Sequence, residues 1–335
     1  MHSLCGHHEA FNIRCPAPHR VPLLYLFSHC SEIPNVSQSS KKMNSKELGL
    51  VLGQQLLGVD DLHYGLWTDD LPLGFANLAE AQQRYTDQII NALPAAKDGE
   101  TGQQTRVIDI GCGTGHILAQ LLERGFAADG LVPAPKLAEQ VRQRLVVHSD
   151  KSTRLFESTF EQFPIDERRA YYDAALFSES YQYISMSASF PILAQIIKPG
   201  GLVVICDFFK TEHAGDGQPG DKSFGGGHKM HEFYTELGKH PFSLLEDIDI
   251  TRQVSPNIKL LDETLMLRLV PAGQTLDRYL RENHPRIWGL IKAVFKMFFG
   301  KKIKKQKYKY FTGHRTQAVF ERYKTYRLLV LRRDA

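Results

Sequence analysis

The segment Val107-Ile108-Asp109-Ile110-Gly111-Cys112-Gly113-Thr114-Gly115-His116 constrains this chain more than any other. A hydrophobic run carrying an acid leads into three glycines at alternate positions, and a helix-like stretch follows at once. Glycine permits a sharp turn and lets the backbone approach a ligand with no Cβ in the way. Amides at the helix start can then face an anionic group. The spacing is GxGxG with the acid upstream, so it is not the GxGxxG dinucleotide fingerprint.

From Thr105 the hydrophobic period alternates. Strand-like runs at Arg106 to Ile110, Ala127 to Leu131, Arg154 to Phe156, Ala174 to Phe177 and Leu202 to Asp207 are separated by helical ones. These are His116 to Glu123, Pro135 to Leu145 and Ser187 to Ile197. Such alternation predicts right-handed crossovers and a doubly wound, mainly parallel sheet of the α/β class. Asn77 to Leu93 reads as a helix that precedes this core. Residues 251–320 read as mostly helical, and Thr325 to Leu331 as a final strand. A last strand held so far from its sheet implies an inserted helical cap near the ligand-binding end.

Residues 1–42 are rich in His, Pro and Ser and show no helical or strand period. They are expected to be a disordered extension or no part of the natural chain, with Met43 as its start; Lys46 to Leu57 reads as a helix. The resulting division is 1–42 extension, 43–100 helices and a covering loop, 101–250 core, 251–320 cap and 321–335 last strand. Val21 to Phe27 is interrupted by Pro22 and is not read as a signal peptide. Five cysteines at positions 5, 15, 30, 112 and 206 form no CxxC pair, which favours a reducing, cytoplasmic setting.

Net charge is +4, but it is unevenly placed. Fifteen basic and two acidic residues lie from Arg286 onward, a surplus of thirteen, while the preceding chain carries a deficit of nine. Within that basic end Ile287, Leu290, Ile291, Val294 and Phe298 form one helical stripe, widened by Trp288, Phe295 and Phe299. The lysine-rich run Lys301 to Phe311 follows. This suits peripheral contact with an anionic membrane at the inner membrane surface. A lid packed on the sheet is the plainer alternative, and single-stranded nucleic acid the least favoured.

Asp109-Ile110-Gly111-Cys112-Gly113-Thr114-Gly115 after a strand resembles motif I of class I S-adenosylmethionine-dependent methyltransferases. Tyr172 to Glu179 resembles that fold's fourth strand, and Ile197-Lys198-Pro199-Gly200-Gly201-Leu202 the turn before its fifth. The resemblance covers about residues 60 to 250 plus the last strand. It implies a Rossmann-like, seven-stranded sheet and S-adenosyl-L-methionine as cofactor. His63-Tyr64-Gly65-Leu66-Trp67 resembles the entry segment of methyltransferases acting on quinones, tocopherols, sterols and fatty acyl chains. It implies a hydrophobic or lipid-like small-molecule acceptor.

Carried over to this chain, the resemblance places Tyr64, Asp109, Gly111, Cys112, Gly113, Gly115, Val132, Thr159 and Ser178 around the cofactor. Val132 stands where the second strand usually ends in an acid, and Thr159 or Ser158 where an Asp usually follows the third. Cys112 reads as a space-filler rather than a nucleophile. Glu179, Tyr181 and His228 are the candidates for acceptor contact or proton removal, with Tyr181 and Tyr183 expected to form an aromatic rim. No metal-ligand spacing is evident: His228 and His231 stand three apart with no acidic or Cys cluster beside them. An RNA methyltransferase and a non-catalytic relative of the fold are the rival readings.

Overall fold

A computed structural model of the protein describes residues 58–59, 63–97, 102–148 and 153–335. The expected extension 1–42 and the helix at 46–57 lie outside the described residues. Seven strands form one sheet in the order β3-β2-β1-β4-β5-β7-β6. They are β1 (Arg106–Ile110), β2 (Ala127–Leu131), β3 (Leu155–Phe156), β4 (Tyr172–Ser178), β5 (Ile197–Lys210), β6 (Phe242–Asp249) and β7 (Lys324–Arg333). β1 to β5 pair in parallel, and β7 runs antiparallel to both β5 and β6.

Both faces of the sheet are covered, so its central strands are apolar on both sides. Val107, Val204, Cys206 and Leu328 point to one face. There they meet α1 (Leu78–Asn91), α2 (His116–Glu123) and α3 (Pro135–His148) through Tyr85, Ile89, Leu118 and Val141. Ile108, Val203, Ile205 and Leu329 point to the other. They pack on α4 (Met186–Ile196) and α5 (Met230–Leu237) through Phe190, Leu193, Ile196 and Phe233. The strict alternation of neighbours between faces is the two-residue period of an extended chain.

Sequence reasoning did not locate β6. Its run Phe-Ser-Leu-Leu-Glu-Asp-Ile-Asp has no clean two-residue alternation, because its pairing with β7 shifts register between Leu244 and Glu246. It lies at the edge, where Glu246, Asp247 and Asp249 discourage pairing with another chain.

The inserted helices between β6 and the end of the chain divide into two parts. The first, α6 (Thr251–Val254) and α7 (Pro256–Thr264), packs on the core through Val254, Ile258 and Leu260. A π turn at Leu265–Leu269 then leads to α8 (Val270–Asn283) and α9 (Pro285–Phe311). Neither the π turn nor α8 has a buried residue. Asp277 on α8 joins the two helices, accepting the indole N–H of Trp288 at 2.9 Å and pairing with Lys292. These groups hold its carboxyl down to about 2. Then α10 (Gln317–Tyr323) returns the chain to β7, its start capped by the Thr316 side chain. Among the described residues no helix is long and apolar enough to cross a membrane.

Asn257 on α7 fastens the aromatic entry segment. Its Oδ1 accepts the Gly65 N–H at 3.0 Å, and its Nδ2 donates to the carbonyls of Gly65 at 2.6 Å and Val254 at 2.7 Å. Gly65 tolerates no side chain, since a Cβ there would lie 2.6 Å from that of Ala81. Asn257→Ala leaves buried backbone groups without partners and should cost about 1–3 kcal/mol in urea denaturation.

Candidate active site

The glycine turn leaves the carboxyl end of β1 and is tied to β2. The amides of Gly111 and Cys112 donate to the Leu131 carbonyl at 2.8 and 3.0 Å. Gly111, Gly113 and Gly115 adopt φ of 81°, 56° and 79°, the left-handed region that disfavours a side chain. Their surroundings differ. A Cβ at Gly111 would lie 2.4 Å from the Cβ of Ser180, whereas one at Gly113 meets nothing within 4 Å. Gly113 therefore borders open space, and Gly111 is enclosed by the loop that follows β4. The Ser180 hydroxyl donates to the Ile110 carbonyl and locks that enclosure.

Asp109 is almost wholly buried beneath this turn, and its Oδ2 has no hydrogen-bond partner. Burial pushes its carboxyl up to about 7, with His63 partly offsetting the rise. The His63 ring stacks on Tyr85 at 4.4 Å. Its Nδ1 lies 2.8 Å from the Tyr64 carbonyl, which can only accept, so that nitrogen carries a proton. Nε2 faces the Thr86 hydroxyl at 3.2 Å.

At the end of β4, Glu179 adopts φ of 52°, an unusual conformation for a residue with a Cβ and one that clusters at functional sites. Its Oε1 accepts the Tyr64 N–H at 2.7 Å and the Tyr326 hydroxyl at 2.8 Å. Burial raises its pKa, and His63 and these two hydrogen bonds pull it back. Tyr326 lies 3.1 Å from the Tyr85 hydroxyl. Tyr326 donates its single hydroxyl hydrogen bond to the carboxylate, and Tyr85 donates to the Cys206 carbonyl at 3.2 Å. The Ser178 hydroxyl stands 3.3 Å from Tyr85. Burial, and then nearby groups such as Glu179, raise both phenol pKa values, so both stay protonated donors.

Several expected residues fall elsewhere. Tyr181 does not form a rim: it is fully buried among Phe177, Phe209 and Phe233, with its hydroxyl 3.1 Å from that of Ser189. The turn after β4 rotates it into the core and leaves Tyr183 exposed. His228 is half-buried, and its Nε2 donates to the Tyr181 carbonyl at 3.1 Å, so it closes a loop with that nitrogen. His231 is exposed. Val132 is buried in the core beside Cys112 and Leu137 and offers no acceptor. The carboxylate in β2 is Asp129, which is occupied by the Arg154 amide at 2.8 Å and the Tyr172 hydroxyl at 2.7 Å. Thr159 is exposed, whereas Ser158 keeps its Oγ buried without a partner. Tyr64 meets Phe320 and Tyr326 edge-on at 6.5 and 6.3 Å. Cys112 is buried and its thiol is driven well up by burial.

Sequence reasoning did not find Tyr85 and Tyr326, or the buried pair Asp207 and Lys324. Burial raises Asp207 to about 8, and its oxygens accept the Gln182 amide N–H at 2.9 Å and side chain at 3.1 Å. Lys324 donates to the Gly226 carbonyl over the Phe208 ring, and burial lowers it to about 8. Nothing local marks these residues, because each partner is remote in sequence. Among the described residues no three His, Cys, Asp or Glu side chains gather as a metal cluster would require.

The strand order and the glycine turn define a class I methyltransferase fold. Residues 78–235 match the family model described as a methyltransferase domain. The fold is that of S-adenosylmethionine-dependent methyltransferases, and residues 78–235 are similar to their methyltransferase domain. An uncharacterized methyltransferase of Mycobacterium bovis is 28% identical over 137 residues, which are 39% of this chain and 51% of that protein. One from Mycobacterium tuberculosis strain H37Rv matches equally. The chain thus spans about half the length of the curated relatives it matches. Among solved structures, geranyl diphosphate C-methyltransferase from Streptomyces coelicolor, in complex with Mg2+, geranyl-S-thiolodiphosphate and S-adenosyl-L-homocysteine, aligns with TM-score 0.61. Identity is 16%, covering 84% of this chain and 91% of that one. The cyclase SpnF aligns with TM-score 0.57 and 17% identity over 85% and 92%.

The residues present fit S-adenosylmethionine at its amino-acid end: an orphaned buried carboxylate oxygen at Asp109 suits an ammonium, and the open side of Gly113 leaves room for the ligand. They fit the ribose less well, since the end of β2 supplies no carboxylate. Gly113→Ala meets no Cβ clash and should fold, at some cost in Tm from its positive φ, yet weaken cofactor binding in calorimetric titration, whereas Gly111→Ala should fail to fold because its Cβ meets Ser180.

Asp109 also predicts a pH dependence. The folded protein holds its proton up to about 7 while the ordinary value is 3.8, so its burial costs stability increasingly as pH rises through that window. Asp109→Asn should raise the Tm of the ligand-free protein near pH 8 and lose that gain toward pH 4. It should also weaken cofactor binding by at least tenfold.

Proposed function

We propose that this chain transfers a methyl group from S-adenosylmethionine to a hydrophobic or lipid-like small molecule. The observation that carries the reading is the placement of Glu179: a strained, desolvated carboxylate at the end of β4, held beside the glycine turn by Tyr64 and Tyr326. The cofactor, when bound, supplies a methyl group already activated on a sulfonium. What remains for the protein is to align the acceptor, exclude water and take up a proton from an alcohol or carbon acid.

The residues divide these tasks. Asp109 holds the amino-acid end of the cofactor, and the Gly111–Gly115 turn carries its backbone contact. Glu179 is the proton acceptor, its basicity raised by burial and its position set by two donors to one oxygen. Tyr64, Phe208 and Phe224 pack edge-on against the buried Phe320, an aromatic cluster next to Glu179's partner Tyr326 that supports an apolar acceptor. His228 keeps Nδ1 as a second proton-accepting group near the glycine loop. A cytoplasmic location completes the reading.

A non-catalytic role is the second reading, favoured by the buried Val132 at the expected ribose position. Calorimetric titration with S-adenosylhomocysteine separates the two, since a scaffold that has lost the cofactor releases no heat. Glu179→Gln keeps an acceptor for Tyr64 and Tyr326 but removes the base. It should lower kcat by about 10²–10⁴ with the cofactor Kd little changed. Unaltered turnover would remove Glu179 from the chemistry.

A further inference from the structure

The largest feature that the methyl-transfer reading does not use is the apolar surface of α9. Ile287, Leu290, Met297 and Phe298 are each more than 60% exposed, and Val294, Phe295 and Phe299 are exposed as well. Soluble surfaces rarely leave so many large apolar side chains contiguous without a partner. The segment from Ile287 to Phe299 spans about 20 Å at 1.5 Å per residue.

The same helix face changes chemistry along its length. At 100° per residue, Lys301 and Lys302 continue the azimuth of Ile287, Leu290, Ile291, Val294 and Phe298. Both lysines are exposed, as are Lys304 and Lys307. Pro285 to Phe311 contains no acidic residue. Asp277 fixes α8 against α9 through Trp288 and Lys292, so the face is presented by a braced helical pair.

We infer that α9 docks on an anionic lipid surface, its Ile287–Phe299 half embedded among acyl chains and its lysine half on the headgroups. The charge distribution selects this occupant. A second copy of the chain placed on this face would bring lysines together with no α9 acid to neutralise them. Anionic headgroups meet the same lysines favourably. The body before Arg286 carries a charge deficit of nine and is repelled from such a surface, which turns the helical pair toward the membrane and the rest away. Docking is independent of methyl transfer, and it gives a lipid-like acceptor a route to the site.

Co-sedimentation of the full chain with phosphatidylcholine vesicles, with and without phosphatidylglycerol, tests the inference. Wild-type protein should sediment with the anionic vesicles at low salt and remain in solution with the neutral ones. Each lysine at such a surface is worth about fivefold, so Lys301→Gln, Lys302→Gln and Lys304→Gln together should weaken binding about a hundredfold. Leu290→Ser with Phe298→Ser should abolish it, because both side chains belong to the half embedded among acyl chains. S-adenosylhomocysteine titration reports separately on the fold and on the methyl-transfer reading. Unchanged titration in every variant is expected, and a wild-type protein that binds vesicles but no cofactor would sink only the earlier reading. Wild-type protein that ignores anionic vesicles would overturn the docking. So would equal binding to neutral vesicles, a concentration-dependent dimer that the Leu290/Phe298 variant loses, or single-stranded RNA bound more tightly than the vesicles.

Discussion

One carboxylate joins the parts of this site. Glu179 Oε1 accepts one hydrogen bond from the Tyr64 amide and another from the Tyr326 hydroxyl, so a single oxygen connects the entry segment, β4 and β7. Hydrogen bonds to a charged acceptor are stronger than neutral ones, and the buried setting strengthens them further. The left-handed backbone at Glu179 is what turns the side chain back toward those donors. Its conformational cost is borne by the pairing of the Glu179 amide with the Cys206 carbonyl at 2.9 Å and by the two donors.

Around that connection the site separates two dry carboxylates by environment. Asp109 lacks a partner for Oδ2 and is held near neutrality by burial, while Glu179 has two donors that favour its charged form. On the proposed reading the first receives the cofactor's ammonium and the second takes up a proton. His63 lies electrostatically between them, lowering both. This division follows the general rule that environments, rather than residue types, assign roles to paired carboxylates.

The inserted helices serve two different ends. Up to Thr264 they belong to the core, where Asn257 clamps the entry segment and Val254 and Ile258 fill the sheet face. From Leu265 to Phe311 the chain leaves the core and keeps many of its apolar side chains in solvent. The cap expected over residues 251–320 is thus a packed base followed by an exposed helical pair. The boundary falls at the π turn of Leu265–Leu269, where burial ends.

The strands β1 to β5 and β7 and the helices α2 to α4 were legible from Arg106 onward, because a covered parallel sheet writes its burial into local period. The glycine turn was legible for the same reason: positive φ at Gly111, Gly113 and Gly115 is a local demand that only glycine meets freely. Edge strand β6 was not, since a register shift and charged residues erase its alternation. Nor was the orientation of Tyr181, whose residue type suits a rim as well as a core; the turn after β4 decides between them. The Tyr85–Tyr326–Glu179 cluster joins residues 241 and 147 positions apart, and no local pattern records such a meeting. Backbone period and turn chemistry act over a few residues and can be read from the chain alone. Burial, pKa and hydrogen-bond partners depend on what folding brings alongside, and only the tertiary structure decides them.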